Sequence, residues 1–211
     1  LDADDLLATT CLENRVAQFL KNQACDFLVF QMERFLDEPD FSKKEIVAEQ
    51  DKNRVLESFI QLHGQWPITA PIYKADFFKS IAFNSGLVVF EDLEVAIKAI
   101  VQATDFKIFN TIDCYYRNDA YYKEKYNSIE VKTKMVKCFV ELLLSLVAIT
   151  QQNKEHIFKN KDIKTYLVQS YKTFFRFTIL ENSRAFQEDN KKIVHLLAIH
   201  SFLDSKTFFK F

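Results

Sequence analysis

The chain has 211 residues, with 28 basic and 29 acidic side chains and a formal net charge of -1. A charge so evenly balanced produces no field that would gather nucleic acid or an anionic membrane by bulk electrostatics. Hydrophobic residues make up 48% of the chain and phenylalanine occurs 22 times, which is ample material for a packed interior. The length suits a single domain, residues 1–211. Because the chain opens at Leu1 and closes on the apolar residues Phe208, Phe209 and Phe211, we expect a fragment of a larger protein.

From Leu87 to Phe211 the sequence contains neither glycine nor proline. Strand-rich folds use these residues at their tight turns, whereas helices need only short polar connections and ordinary caps. The composition therefore predicts an all-α fold. We expect antiparallel stacked helices, arranged either as an irregular α-solenoid or as a helical bundle.

The first part of the chain is predicted to be helical. Apolar residues between Leu1 and Leu36 have spacings that suit one long amphipathic helix or two consecutive ones. Ser42 and Glu45 have the spacing of a capping box, which predicts a further helix ending near Leu62. The stretch 63–72 is rich in chain-breaking residues and is a possible internal break in the domain.

Beyond this break the pattern is again typical of helices. Glu91 and Asp92 stand in the first turn of one of them, where the helix dipole favours negative charge. Ser128 is a candidate cap for a long helix that is covered on most sides. The predicted helices are Ala75–Phe83, Phe90–Ala103, a long helix from Ser128, Asp162–Leu180 and Ser183–Leu203.

Two stretches of the sequence share a plan. Val95 to Asn110 and Leu143 to Asn160 each contain a buried helix end, a polar break and Ile-Phe followed by Asn. The second stretch, continued to Val168, resembles the link between helices of armadillo or HEAT repeats. This resemblance covers at most Val95 to Leu203 and implies stacked helical pairs. It departs from the armadillo pattern at Lys161, where a glycine commonly turns the chain.

Residues that catalysis commonly uses are scattered along the sequence. No histidines or cysteines are paired at the spacing of a zinc site, and two isolated glycines cannot form a phosphate-binding loop. Asp2, Asp4 and Asp5 imitate an acidic metal-binding cluster, but we interpret them as charges in the first turn of a helix. The sequence therefore predicts no catalytic residue, no metal, no cofactor and no enzymatic activity.

Aromatic residues provide the candidates for partner binding. Trp66, the single tryptophan, lies in a proline-flanked loop, where it either anchors a partner or closes the loop onto the core. A run of tyrosines with basic residues follows Cys114, and Tyr and Arg are typical of binding hot spots; a helix-to-helix connection is the alternative for this run, and nucleic acid is an unlikely partner. The predicted partner-binding residues are Trp66, Tyr115, Tyr116, Arg117, Tyr121, Tyr122 and Lys123.

These observations favour a non-catalytic protein-protein interaction module or scaffold that binds another protein through a helical surface. One alternative is a helical carrier that holds a lipid or another apolar ligand in its phenylalanine-rich interior. Another is a helical enzyme that processes lipids or isoprenoids. No apolar run has the length of a membrane-spanning helix, and the cysteine spacing suggests reduced thiols. We therefore expect a soluble protein of the cytoplasm or nucleus.

Overall fold

The computed structural model describes residues 5–117, 128–152, 163–179 and 184–199. Strands and helices alternate over these residues, so the prediction of an all-α solenoid or bundle is wrong and the fold is mixed α/β. In chain order the elements are β1 (Leu6–Leu7), α1 (Cys11–Lys21), β2 (Phe27–Phe35), α2 (Lys52–Ile60), β3 (Pro71–Tyr73), α3 (Ala75–Ser80), α4 (Glu91–Gln102), β4 (Phe106–Arg117), α5 (Ile129–Gln152), α6 (Ile163–Phe174), a π-helix (Phe175–Ile179) and α7 (Gln187–Ile199).

The described strands form one mixed sheet in the order β1-β4-β2-β3. The central strands β2 and β4 are parallel, with Phe27 opposite Phe106 and Phe35 opposite Arg117. Both outer strands are antiparallel to their neighbours. The carboxyl ends of β2 and β4 therefore lie at the same edge of the sheet, and β1 begins there because Leu6 faces Tyr115.

The absence of glycine and proline misled the prediction for a physical reason. Antiparallel strands can be joined by tight hairpins, but parallel strands are joined by long crossovers that usually contain helices. The connection from β2 to β4 contains α2, β3, α3 and α4, and so no hairpin turn is needed next to β4. The first five residues of β2 are all buried, as in a strand covered on both faces, and this continuous burial gives no alternating pattern.

The main hydrophobic core lies between the sheet and the helices α2, α4, α5, α6 and α7. Phe27 is at the sheet side of this core, with its ring stacked on Phe106 at a centroid distance of 4.6 Å and on Phe77 at 6.1 Å. On the helical side, the rings of Phe139 and Phe174 stack at 4.1 Å. Much of the phenylalanine content therefore serves ordinary packing between the sheet and the helices.

Phe27→Ala is expected to lower the free energy of unfolding by about 3–5 kcal/mol, because it removes a fully buried ring and leaves a cavity. Urea unfolding followed by circular dichroism measures this change. Phe83 is 54% exposed and provides the control, since Phe83→Ala is expected to change stability by no more than about 0.5 kcal/mol. Equal losses in the two variants would contradict the packing described here.

Helix α1 is fixed to the sheet by a buried ion pair. Arg15 and Asp113 are 5% and 3% exposed, and the guanidinium donates two hydrogen bonds to the carboxylate, from Nε at 2.7 Å and from Nη2 at 2.6 Å. Arg15 Nη1 also donates to the carbonyl of Thr69 at 2.8 Å. One side chain thus joins α1, β4 and the segment that leads into β3.

Several helix predictions are confirmed, and two are wrong. Of the region Leu1 to Leu36, predicted to be helical, only α1 is a helix, because Leu6–Leu7 and Phe27–Phe35 pair with β4 as strands β1 and β2. Helices α3 and α4 lie where they were predicted, and the hydroxyl of Ser128 accepts the backbone N–H of Val131 at the start of α5. The predicted capping box at Ser42 and Glu45 does not start a helix. Ser42 donates to Asp40, and Glu45 forms an isolated bridge with Thr111 of β4, so pairing with the sheet replaces the helix there.

The chain-breaking stretch and the first of the two similar stretches each lead from a helix into a strand. The stretch 63–72 runs from the end of α2 into β3, and Pro71 pairs with Val29 of β2. Of the two similar stretches, Val95 to Asn110 runs from α4 into β4, and the second one continues past the described end of α5. No helix among the described residues is both long enough and apolar enough to cross a membrane.

Candidate functional site

A groove lies along the second half of β2. Its walls are residues 31–34 of β2, Lys43 and residues 46–49 of the following segment, Gln65 and Trp66, and Ile108 of β4. We call it the β2 groove. Its volume of ≈ 460 Å³ falls within the range of about 300–1,000 Å³ that is common for small-molecule sites.

The β2 groove lies where the pairing of β2 with β4 is irregular. Register shifts occur on either side of Gln31, so that Val29 pairs with Ile108 but Gln31 pairs with Ile112. The Gln31 amide donates to the carbonyl of Phe109 at 2.8 Å. Beside this bulge, the backbone of Ile46 donates to Asn110 at 2.8 Å and fixes the wall that follows β2.

Two side chains that line the β2 groove have a buried polar atom with no hydrogen-bond partner in the described part of the chain. Glu33 Oε1 accepts a hydrogen bond from Lys43 Nζ at 3.1 Å, but Glu33 Oε2 has no hydrogen-bond partner among the described residues. The same holds for Trp66 Nε1, whose ring packs edge-on against Phe59 at 4.6 Å. A buried polar atom left in this state costs about 1–3 kcal/mol, and such atoms in native proteins need an explanation.

Charged residues gather at the nearby edge of the sheet, where β2 and β4 end. Asp5 Oδ1 accepts the backbone N–H of Arg117 at 3.2 Å, and Arg117 Nη1 donates to the carbonyls of Leu36 at 3.0 Å and Asp37 at 3.2 Å. Ligands of open α/β sheets commonly bind at the carboxyl ends of parallel strands. Arg34 lines both the β2 groove and a smaller cavity at this edge, so the two cavities are neighbours.

The interpretation of the first acidic residues needs correction. Asp5 directly precedes strand β1 rather than standing in a helix, so its carboxylate caps the end of β4 and is not a helix-dipole charge. Asp2 and Asp4 lie outside the described residues. Within the described ranges, no group of three or more His, Cys, Asp or Glu side chains could hold a metal ion.

A strained residue precedes the acidic start of α4. Phe90 has φ = 70°, in the left-handed region that bulky residues avoid. It is followed by the exposed carboxylates of Glu91 and Asp92. A Cβ on Gly64 would lie 3.7 Å from Leu93 Cδ2, so this turn of α4 adjoins the loop that carries Trp66. Backbone strain of this kind costs about 1–3 kcal/mol and clusters at functional sites.

The structure describes four of the seven residues that were predicted to bind a partner. Trp66 is 8% exposed and belongs to the main core, and Tyr115 is 1% exposed and packs with Phe35 and Ile112. Burial, with a smaller effect of the Glu33 carboxylate, raises the pKa of Tyr115. Tyr116 and Arg117 are half-buried at the end of β4. Tyr121, Tyr122 and Lys123 lie outside the described residues.

Sequence reasoning missed Glu33, Glu91 and Asp92 as functional candidates. Glu33 did carry a signal, because it is a charged residue within an apolar run that begins Phe-Leu-Val-Phe. A charge in a buried strand usually requires a partner or a ligand. In the sequence, the favourable interaction with the helix dipole is enough to explain Glu91 and Asp92. Only the strained backbone of Phe90 distinguishes them from other acidic residues at the start of a helix.

The cysteines are structural rather than reactive. Cys11, Cys25, Cys114 and Cys138 are all buried and form no disulfide. Burial raises the pKa of Cys11 to about 12 and that of Cys114 to about 11. A thiol is a nucleophile only as the thiolate, so neither of these side chains is poised to attack a substrate.

Comparison with solved structures shows that this mixed α/β fold is similar to that of S. aureus TarS. The chain is similar to S. aureus TarS 1-349, with 14% identity and a TM-score of 0.55, over 95% of this chain and 54% of that one. It is also similar to the complex of TarS 1-349 with UDP-GlcNAc, with 14% identity and a TM-score of 0.55, over 98% of this chain and 57% of that one. For the UDP complex the identity is 15% and the TM-score 0.57, over 93% of this chain and 55% of that one.

No protein-family model and no curated protein sequence matches the chain. The structural neighbours include complexes with UDP-GlcNAc and UDP, and the sheet rules out an all-helical scaffold or an all-helical carrier. The predictions of a non-catalytic interaction module and of a lipid carrier are therefore wrong. The chain spans only 54% to 57% of the length of the TarS chains that it matches.

Proposed function

We propose that the chain is part of an enzyme that transfers a sugar from a nucleotide-sugar donor to a hydroxyl group of an acceptor. The observation that supports this proposal is the likeness in fold to TarS, which extends over 93% to 98% of the chain and includes complexes with UDP and UDP-GlcNAc. The neutral overall charge and the mixed sheet are compatible with such a role.

The reaction defines the groups that the site must supply. The bond between the anomeric carbon and the diphosphate oxygen breaks, the acceptor oxygen forms a new bond to that carbon, and the acceptor hydroxyl loses its proton. A positioned carboxylate that takes this proton contributes about 10²–10⁴-fold to the rate. Glu91 and Asp92 are exposed carboxylates next to the Trp66 loop, and one of them is the general base in this proposal.

The donor and the acceptor are assigned to adjoining places. In open α/β sheets, nucleotides commonly bind at the carboxyl ends of the parallel strands. The donor is therefore assigned to the edge formed by the ends of β2 and β4, and the acceptor to the β2 groove. Arg34 lines the cavities at both places, so the two substrates would bind on neighbouring sides of this residue.

A donor screen tests this proposal directly. The natural protein that contains this chain is incubated, with Mg²⁺, with a panel of UDP-, GDP- and dTDP-sugars, and the release of nucleoside diphosphate is measured. We expect release from at least one donor, and faster release when a suitable acceptor is added. If no donor is consumed and calorimetry detects no donor binding, the proposed function is wrong.

A further inference from the structure

Two side chains that line the β2 groove each carry a buried polar atom, one a hydrogen-bond donor and the other an acceptor. Glu33 Oε2 and Trp66 Nε1 are buried atoms without a hydrogen-bond partner in the part of the chain that the structure describes. Both side chains line the same groove. The indole nitrogen can only donate, and the carboxylate oxygen can only accept. A ligand that satisfies both atoms must therefore contain groups that accept and groups that donate, and hydroxyl groups do both.

The charges around the β2 groove favour a neutral ligand. Glu33 is paired with Lys43 at 3.1 Å, and Glu49 is paired with Arg54 at 3.6 Å. The remaining cation, Arg34, is exposed and also lines the cavity at the end of β2, on the side assigned to the donor. The rest of the lining includes apolar side chains, among them Met32 and Ile108. Hydroxyl groups around an apolar ring face are typical of a sugar.

We propose that the β2 groove binds a neutral sugar ring of the acceptor. One hydroxyl oxygen of this ring accepts a hydrogen bond from Trp66 Nε1, and another hydroxyl donates to Glu33 Oε2. The role of this sugar as acceptor rests on the proposed function, whereas its binding in the groove does not. Trp66 and Glu33 are binding residues in this assignment, and the proton transfer is left to Glu91 or Asp92.

Fluorescence tests the binding step without catalysis. Trp66 is the single tryptophan of the chain, so the emission that is lost in Trp66→Phe reports on the groove. The natural protein is titrated with the methyl glycosides of glucose, galactose, mannose and N-acetylglucosamine. We expect a saturable change in this emission for at least one glycoside, and a much weaker response to glucuronate, which is charged.

Two variants test the individual hydrogen bonds by calorimetry. Glu33→Gln is expected to weaken glycoside binding about tenfold, because a charged acceptor is lost. Trp66→Phe retains a ring but removes the N–H, with an expected loss of about fivefold. The matched control is Glu130→Gln, since Glu130 is also paired with a lysine, at 3.0 Å, but lies exposed on α5. This control is expected to bind like the parent, and thermal unfolding confirms that each variant is folded.

The outcomes separate this inference from the proposed function. Saturable glycoside binding without turnover of any donor would support the groove assignment and contradict the proposed function. Donor turnover without a response to any neutral glycoside would overturn the groove assignment alone, as would unchanged binding by folded Glu33→Gln. If the glycoside competes with the nucleotide-sugar and not with the acceptor, the groove binds the donor sugar. This result would overturn the assignment of the groove to the acceptor.

Discussion

Asp92→Asn is expected to lower the turnover of the nucleotide-sugar donor by about 10²–10⁴-fold if Asp92 is the general base. The side chain is exposed in the first turn of α4, so its neutralisation is expected to cost only about 0.3–1 kcal/mol of stability through the helix dipole. The turnover number at saturating acceptor measures the effect. Glu91→Gln, made separately, identifies which of the two carboxylates takes the proton.

The chain provides a matched control for this pair. Glu188 and Asp189 are likewise adjacent acidic residues in the first turn of a helix, α7. Glu188→Gln and Asp189→Asn change the same kinds of groups in the first turn of a helix, and both variants are expected to retain the parent rate. Parent-like turnover in both Glu91→Gln and Asp92→Asn would contradict a catalytic role for the start of α4.

Arg15→Met is expected to lower the free energy of unfolding by about 3–5 kcal/mol, because it leaves the buried carboxylate of Asp113 without its partner. The guanidinium donates two hydrogen bonds to that carboxylate and one to Thr69. Methionine retains much of the volume, so the loss reports mainly on the unpaired charge. Urea unfolding, compared with that of the parent protein, measures the difference.

A double variant separates the charge from the packing. Arg15→Met combined with Asp113→Leu removes both members of the pair, and it is expected to recover a large part of the loss because no buried charge remains unpaired. Lys134→Met is the exposed control, since Lys134 is paired with Glu130 on the surface of α5, and such pairs contribute at most about 1 kcal/mol. A loss of less than about 1 kcal/mol in Arg15→Met would contradict the account of this ion pair.

Local signals located the helices of this protein well. α4 and α5 have acidic first turns and apolar stripes, and α5 also has a serine cap; these features depend on residues that are close in sequence. The strands could not be located in this way. β2 is stabilised by pairing with β4, and its first five residues are all buried, so that its apolar run was interpreted as helical. The missing information was the identity of the distant partner strand.

The candidate site was harder to predict than the fold. Trp66 attracted attention because prolines flank its loop, but its relation to Glu33 depends on where β2 and the loop meet in the folded chain. Asp5 was assigned to a helix because the strand β1 has only two residues and leaves almost no pattern. No local motif in the sequence points to Glu91 or Asp92. They come near the Trp66 loop only in the folded chain, where Leu93 of α4 packs beside Gly64.

The four buried thiols can report local opening of the structure around each of them. They are distributed over α1, the segment before β2, strand β4 and helix α5, at Cys11, Cys25, Cys114 and Cys138. A thiol-alkylating reagent reaches each sulfur only when the surrounding structure opens, and local openings differ widely in free energy across a protein. Labelling followed by peptide mass spectrometry would therefore rank the local stability of the sheet and the helices without any substitution. Repeated with a sugar ligand present, the same measurement would reveal which of these regions tightens when the site is filled.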